Sequence, residues 1–195
     1  FTTSPQPSPY KGEGDASAPL PLTRGETERG RLVFTDLIRG QVSFNLREID
    51  DQILMKSDGF PTYHLANVID DHESEITHVI RAEDWLSSTP KHLILYKAFG
   101  WDAPEFGHLS LILAPDKSKL SKRHGATSVL EFKKLGYLPE ALINYIALLG
   151  WNPGTEQEIF SLKDLEKEFS LEKVQKAGAI FDINKLDWMN GEYIK

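Results

Sequence analysis

The run Gly107-His108-Leu109-Ser110-Leu111-Ile112-Leu113 constrains the fold of this chain more than any other stretch. It is apolar enough to form a strand inside a parallel sheet, where both faces are covered. Parallel neighbours cannot be joined by a tight turn, so helical crossovers must flank such a strand. The residues before it meet that demand. After Pro61, the segment Thr62–His72 reads as a helix with proline at its first turn. Ile76–Arg81 is a short, mostly apolar strand ending in a cation. Ser87, Ser88 and Thr89 supply capping hydroxyls, Pro90 suits a first helical position, and the helix runs through Lys91–Phe99 to a stop at Gly100. Helix, strand, helix, strand is half of a nucleotide-binding α/β fold. In such a fold, ligands gather at the carboxyl ends of the strands.

Arg81 falls at one such end, where a guanidinium can grip a carboxylate through two parallel hydrogen bonds. Tyr63 and Asn67 are four residues apart, so they share a helix face and can reach one ligand. His64 and His72 lack a third ligand at useful spacing and are expected to be structural.

The 107–113 run delivers the chain into Asp116-Lys117-Ser118-Lys119-Leu120-Ser121-Lys122-Arg123-His124-Gly125. Pro115 and Gly125 punctuate this stretch as a loop, and only Leu120 is apolar, so no helical or strand period passes through it. A solvated basic turn has this composition, and so does a loop for a polyphosphate. For the second, the ammonium groups of Lys119 and Lys122 lie close enough in sequence to serve one phosphate chain.

The chain has 195 residues, 40% of them hydrophobic, enough for one sizeable core or two small ones. Its net charge of −7 does not mark the whole chain as a nucleic-acid binder. Residues 115–136 are locally basic, with six Lys and Arg against two Asp and Glu, or +4. A local basic surface can hold a phosphate backbone while the rest stays acidic. There is no cysteine, which excludes disulfides and thiolate zinc sites in this sequence. No run of eighteen apolar residues and no signal peptide is found, so a soluble, cytoplasmic protein without membrane contact is expected.

Residues 1–30 are rich in Pro, Gly, Ser and Thr and are expected to be a disordered tail. Leu32–Phe34, Val42–Phe44 and Ile53–Met55 read as two or three short antiparallel strands within 31–62. Beyond the loop the chain reads as helical. Ser128 caps a helix stopped by Gly136, and Pro139 opens another whose Leu142, Ile143, Ile146, Ala147 and Leu149 form a buried stripe. Ser161 and Asp164 have capping-box spacing before a third helix. A fourth covers 183–190, with Trp188 and Met189 expected in the core. Residues 137–195 carry six Lys against ten Asp and Glu, a balance of −4.

These residues carry a family resemblance. Lys119-Leu120-Ser121-Lys122-Arg123 resembles the KMSKS loop of class I aminoacyl-tRNA synthetases. The stretches 57–72, 77–101 and 138–151 resemble bacterial-type glutamyl-tRNA synthetases, and the likeness covers about residues 31–195, in family order. The resemblance implies the second half of a Rossmann-like class I catalytic fold followed by an α-helical stem-contact domain. The expected division is a tail (1–30), the end of an acceptor-binding insert (31–62), the C-terminal half of the catalytic domain (63–113), and the loop with the stem-contact domain (114–195).

The implied activity is ATP-dependent activation of glutamate to glutamyl-adenylate and its transfer to the terminal adenosine of tRNA(Glu). ATP would come with Mg²⁺, for which no ligand can be named here, and no zinc is implied in this chain. By resemblance Tyr63, Asn67 and Arg81 line the glutamate pocket. Asp84, Leu111 and Ile112 lie at the nucleotide, and Lys119 and Lys122 stabilise its phosphates. Relatives of this kind are usually monomers.

The family's HIGH signature is not found in the sequence, nor is the helical region that reads the anticodon. The chain is therefore expected to correspond to the middle of such an enzyme and to be inactive alone. A tRNA-binding or regulatory remnant, and a relative that glutamylates a modified tRNA base, are the alternative readings. Glutamine specificity is disfavoured by Arg81.

Overall fold

The computed structural model of the chain describes residues 25–28, 30–121, 123, 125 and 128–195. Among the described residues the main sheet has five strands, β1 (Gly25–Glu28), β2 (Arg31–Asp36), β3 (Gly40–Asn45), β4 (His78–Ala82) and β5 (Glu105–Leu109), in the order β1-β2-β5-β4, with β3 also paired to β2. Strands β1, β2 and β3 are antiparallel neighbours. Four residues of the 1–30 stretch are thus strand, and residues 1–24 lie outside the described part. The turn joining β2 to β3 closes on Gly40, whose φ of 78° is a conformation a side chain rarely tolerates.

Strand β4 runs parallel to β5 over its whole length, and β5 meets β2 in parallel at Asp36↔Phe106. The crossover from β4 to β5 is helix α2 (Thr89–Phe99), preceded by a 3-10 turn over Glu83–Ser88. Pro90 stands in its first turn, and Gly100 closes it with a left-handed φ of 72°. Helix α1 (Tyr63–Glu73) packs beside α2. Val68 of α1 and Leu93, Leu95 and Tyr96 of α2 share a core with Leu32, Phe34 and Phe106 of the sheet.

The run 107–113 is not one strand. The chain leaves the main sheet after Leu109 and enters a separate two-stranded parallel sheet, β6 (Ile112–Leu113) with β7 (Ala179–Ile180). Glu83 accounts for the break, because its carboxylate accepts the Leu111 N–H at 3.1 Å and takes that donor out of the ladder. Ile53–Met55 is likewise not a strand: its only ladder contact is the isolated bridge Met55↔Pro61, and Ile53 is 75% exposed.

Helices α3 (Val129–Lys134), α4 (Pro139–Gly150), α5 (Leu162–Glu168) and α6 (Ile183–Ile194) follow. Ser128 with Glu131, and Ser161 with Asp164, form complete capping boxes. Leu142, Tyr145 and Leu149 of α4 pack on Leu186 and Met189 of α6 and on Phe132 of α3. The stripe expected on α4 is rotated, since Ile143 and Ile146 are exposed while Asn144 and Tyr145 are buried. Asn144 can sit inside because its side-chain oxygen accepts from the Phe160 N–H and the Tyr193 hydroxyl, each at 2.8 Å. Trp188 is half-exposed rather than core.

A third apolar cluster joins the two parts. Ile38, in the turn between β2 and β3, is buried against Trp151, Phe160, Leu165 and Val174. The residue two before it, Asp36, therefore stands at the joint between the sheet and the helical region.

Candidate functional site

Arg81 is the next-to-last residue of β4, and its guanidinium enters a polar cluster beneath α2. Its Nε donates to His108 Nε2 at 3.1 Å, and its Nη2 donates to Thr89 Oγ1 at 3.0 Å and to the Trp85 carbonyl at 3.2 Å. Its Nη1 lies 3.4 Å from His92 Nδ1. Among the described residues these bonds leave one guanidinium N–H unused. The ring of Phe106 lies 5.5 Å beneath the cation.

The three histidines around Arg81 are ordered by their partners. His108 Nδ1 is 2.5 Å from Asp36 Oδ2, with both side chains fully buried. Burial pushes the Asp36 carboxyl up. The hydrogen bonds from the His108 ring and from the Arg39, Ile38 and His108 amides outweigh it and hold its pKa at about 2. An ionised Asp36 needs a donor at Nδ1, so His108 presents a bare Nε2 to Arg81. His92 faces the cation with Nδ1, so its Nε2–H is left to donate to His64 Nδ1 at 2.9 Å. Burial first, then the Arg81 charge, His64 and His108, depress His92 to about 3. His64 is depressed as well, by burial, Lys91 and Arg81. Arg81 thus has neutral histidines at His92 and His64 and keeps its charge for a ligand.

A pH dependence follows. The folded pKa of His92, about 3, lies below its ordinary 6.5, so acid favours the unfolded chain. The stability that neutral His92 contributes is present above about pH 6.5 and lost progressively toward pH 3. At about 1.4 kcal/mol per unit, this group alone should cost roughly 2 kcal/mol between pH 6.5 and pH 5. Urea unfolding of the wild type and of His92→Gln at both pH values checks this. The variant should lose most of the difference; an equal pH dependence in both would contradict it.

Tyr63 is half-exposed at the first turn of α1, its ring centred 5.0 Å from Trp85 and 6.4 Å from His92. Asn67, one turn on, buries its side-chain oxygen without a protein donor. Tyr63 and Asn67 thus stand one turn apart on α1, and the Tyr63 ring neighbours the His92 that faces Arg81.

The loop side is separate. Ala114 N donates to the Ser118 carbonyl and Lys117 N to the Ala114 carbonyl, both at 2.8 Å, so the loop starts as a tight hairpin. Lys117 takes a left-handed φ of 64°, and Asp116 Oδ1 caps Ser118 N at 2.9 Å. Lys119 is ion-paired with Asp84 on the solvent side. Leu111 gives its N–H to Glu83, and the Ile112 carbonyl accepts from Leu120 N at 3.0 Å. Glu83 is paired with Arg39 in turn. Leu120 and Ser121 are described, as is Arg123, whose Nη2 donates to Ser118 Oγ at 3.4 Å. Lys122 lies outside the described residues.

Asp36, Thr89, His92 and His108 were not read as site residues in the sequence. The usable signal was a histidine inside an apolar strand, since a buried imidazole needs partners. Nothing local names Asp36, 72 residues away, as that partner.

Among the described residues no group of three or more His, Cys, Asp or Glu could hold a metal ion, and no helix is long and apolar enough to cross a membrane.

The main sheet is part parallel, with the Arg81 cation near a strand end and a lysine-bearing hairpin beyond the next strand. Residues 22–188 match the family described as tRNA synthetases class I (E and Q), catalytic domain, and the chain belongs to that family. A glutamate–tRNA ligase of Prosthecochloris aestuarii is 57% identical over 183 residues, covering 93% of this chain and 36% of the relative. One from Clostridioides difficile is 58% identical over 168 residues, covering 86% and 34%. The crystal structure of a glutamate tRNA ligase from Elizabethkingia meningosepticum in complex with its amino acid superposes with a TM-score of 0.79 at 48% identity. It is matched over 90% of this chain and 37% of its own. The chain spans about a third of the length of these relatives.

Proposed function

We propose that this chain supplies the glutamate pocket and the phosphate-side loop of a glutamate–tRNA ligase. The observation that carries this reading is Arg81, a cation beside the neutral His92 and near Tyr63. The guanidinium takes the side-chain carboxylate of glutamate, and Asn67 and Tyr63 serve the amino-acid end. Glutamine, lacking the charge, gains less from the same cation.

In the reaction an α-carboxylate oxygen of glutamate attacks the α-phosphorus of ATP, and pyrophosphate leaves with its electron pair. A ribose hydroxyl of the terminal adenosine of tRNA(Glu) then displaces AMP to form the ester. Positioning and charge stabilisation suffice for such transfers, so no protein nucleophile is required. Lys119 and Lys122 stabilise the phosphates of the magnesium–ATP substrate. Lys119 reaches them by leaving Asp84, an exposed pair worth roughly 0–1 kcal/mol. Leu111 and Ile112 contact adenine through backbone groups, beside Asp84, once Glu83 and Leu120 release them.

In this reading 31–62 ends the acceptor-binding insert, 63–113 is the catalytic half-fold and 114–195 carries the loop and the stem-contact helices. The protein acts in the cytoplasm as a monomer.

The test is a chimera in which residues 22–188 replace the matching segment of the Prosthecochloris aestuarii ligase. Glutamate-dependent exchange between pyrophosphate and ATP is expected, together with charging of tRNA(Glu). A folded chimera that exchanges equally well without glutamate would overturn the reading.

A further inference from the structure

We propose that Asp36 and His108 are positioning residues for the amino-acid pocket, fixing the guanidinium of Arg81 through the tautomer of the histidine between them. The inference rests on the reading of Arg81 as the glutamate-side-chain contact.

The division of labour within the Asp36 carboxylate points to this role. Oδ1 alone serves the backbone: it accepts from the Ile38 amide at 3.0 Å, the Arg39 amide at 2.9 Å and the His108 amide at 3.2 Å. Those bonds complete the turn after β2 and stitch it to β5. Oδ2 is left for one partner, the His108 ring at 2.5 Å. A turn-capping aspartate needs no such bond.

His108 has equally few options. Its Nδ1 is committed to Asp36, and its Nε2 meets Arg81 Nε at 3.1 Å and Thr89 Oγ1 at 3.2 Å. With Nδ1 protonated, Nε2 is an acceptor and holds the Nε–H of Arg81. Thr89 and the Trp85 carbonyl hold Nη2. The planar fork is therefore fixed along one edge, and Nη1, toward His92, is the end left to meet a ligand.

The histidine is also a spacer. A carboxylate in direct contact with Arg81 would neutralise most of the charge that a glutamate side chain needs. One ring further away, Asp36 joins Asp71 in keeping the half-buried cation tolerable while its own attraction is weaker, because Coulomb energy falls with distance. Replacing the anion by an amide reverses the logic. In Asp36→Asn the Oδ1 acceptor can stay on the three amides, but an NH₂ faces His108 Nδ1. His108 must then carry its proton on Nε2, donor against donor with Arg81 Nε.

The experiment uses the 195-residue chain labelled with ¹⁵N at histidine and arginine. In the wild type, NMR should show His108 protonated at Nδ1 only, and a slowly exchanging Arg81 Nε–H coupled to it. Asp36→Asn should move the His108 proton to Nε2 and expose the Arg81 Nε–H to rapid exchange, while the amide spectrum stays folded. A wild-type His108 protonated at Nε2, or a rapidly exchanging Arg81 Nε–H, overturns the proposal even if the variant does not fold.

In the chimera, Asp36→Asn should raise the glutamate KM by about ten- to a hundredfold with the ATP KM unchanged, since an unmet buried donor is costly. A merely structural role would lower activity without this split. An unchanged glutamate KM sinks the inference. A wild-type chimera without glutamate-dependent exchange instead sinks the functional reading, and the tautomer measurement still decides the positioning.

Discussion

Replacing Arg81 with alanine in the chimera should lower kcat/KM for glutamate by about two to four decades. Its removal would leave the glutamate side chain as an unpaired charge in a partly dry pocket, which costs roughly 3–5 kcal/mol. At about 1.4 kcal/mol per decade, that loss gives the stated fall. The substitution also strips His108, Thr89 and the Trp85 carbonyl of a donor, so some stability is lost with it. Selectivity separates the two effects. A weakened fold lowers glutamate and glutamine turnover together, whereas a lost charge contact lowers glutamate alone. Steady-state exchange with each amino acid decides the matter, and unchanged discrimination would remove Arg81 from the role.

Lys122→Ala should lower kcat for adenylate formation by about 10²–10³, the usual cost of one preorganised donor. The ATP KM should change less, because the ammonium acts mainly on charge that develops as pyrophosphate leaves. Lys122→Arg should rescue poorly, since a wide planar fork does not replace a compact ammonium on a loop that closes over phosphates. Single-turnover adenylate formation over a range of ATP concentrations measures both quantities. A full rate at saturating ATP would make Lys122 a surface charge. Lys119→Ala provides the comparison, because its Asp84 pair is exposed and contributes little to stability.

Local chemistry made the helices legible. Pro90 and Gly100 bracket α2 in sequence and in structure, and both Ser-initiated capping boxes form as their spacing demands. Each of those signals acts over a few residues, which is why a sequence displays them. The break between β5 and β6 has its cause 28 residues upstream, in the Glu83 carboxylate that captures the Leu111 amide. The rotated stripe on α4 has a related cause. Ile143 and Ile146 fit an apolar period, yet Asn144 goes inside because Phe160 and Tyr193 bring it donors from later elements.

The site divided in the same way. An arginine near a strand's carboxyl end and a tyrosine–asparagine pair at helical spacing could be read directly, because period and strand direction place them. The support for Arg81 could not be read directly. Asp36 and His108 meet only because β2 and β5 become neighbours at Asp36↔Phe106. Thr89, which reads as part of a helix start, is fully buried and spends its hydroxyl on the Arg81 guanidinium.

The central claim is that Arg81, held from behind by His108, receives the glutamate side chain. A crystal structure of the chimera with bound glutamate tests it most directly. The account predicts a side-chain carboxylate oxygen about 2.7–2.9 Å from Arg81 Nη1, with Arg81 Nε still on His108 Nε2. A glutamate side chain seated elsewhere, with Arg81 unchanged among His92, Thr89 and Trp85, would contradict it.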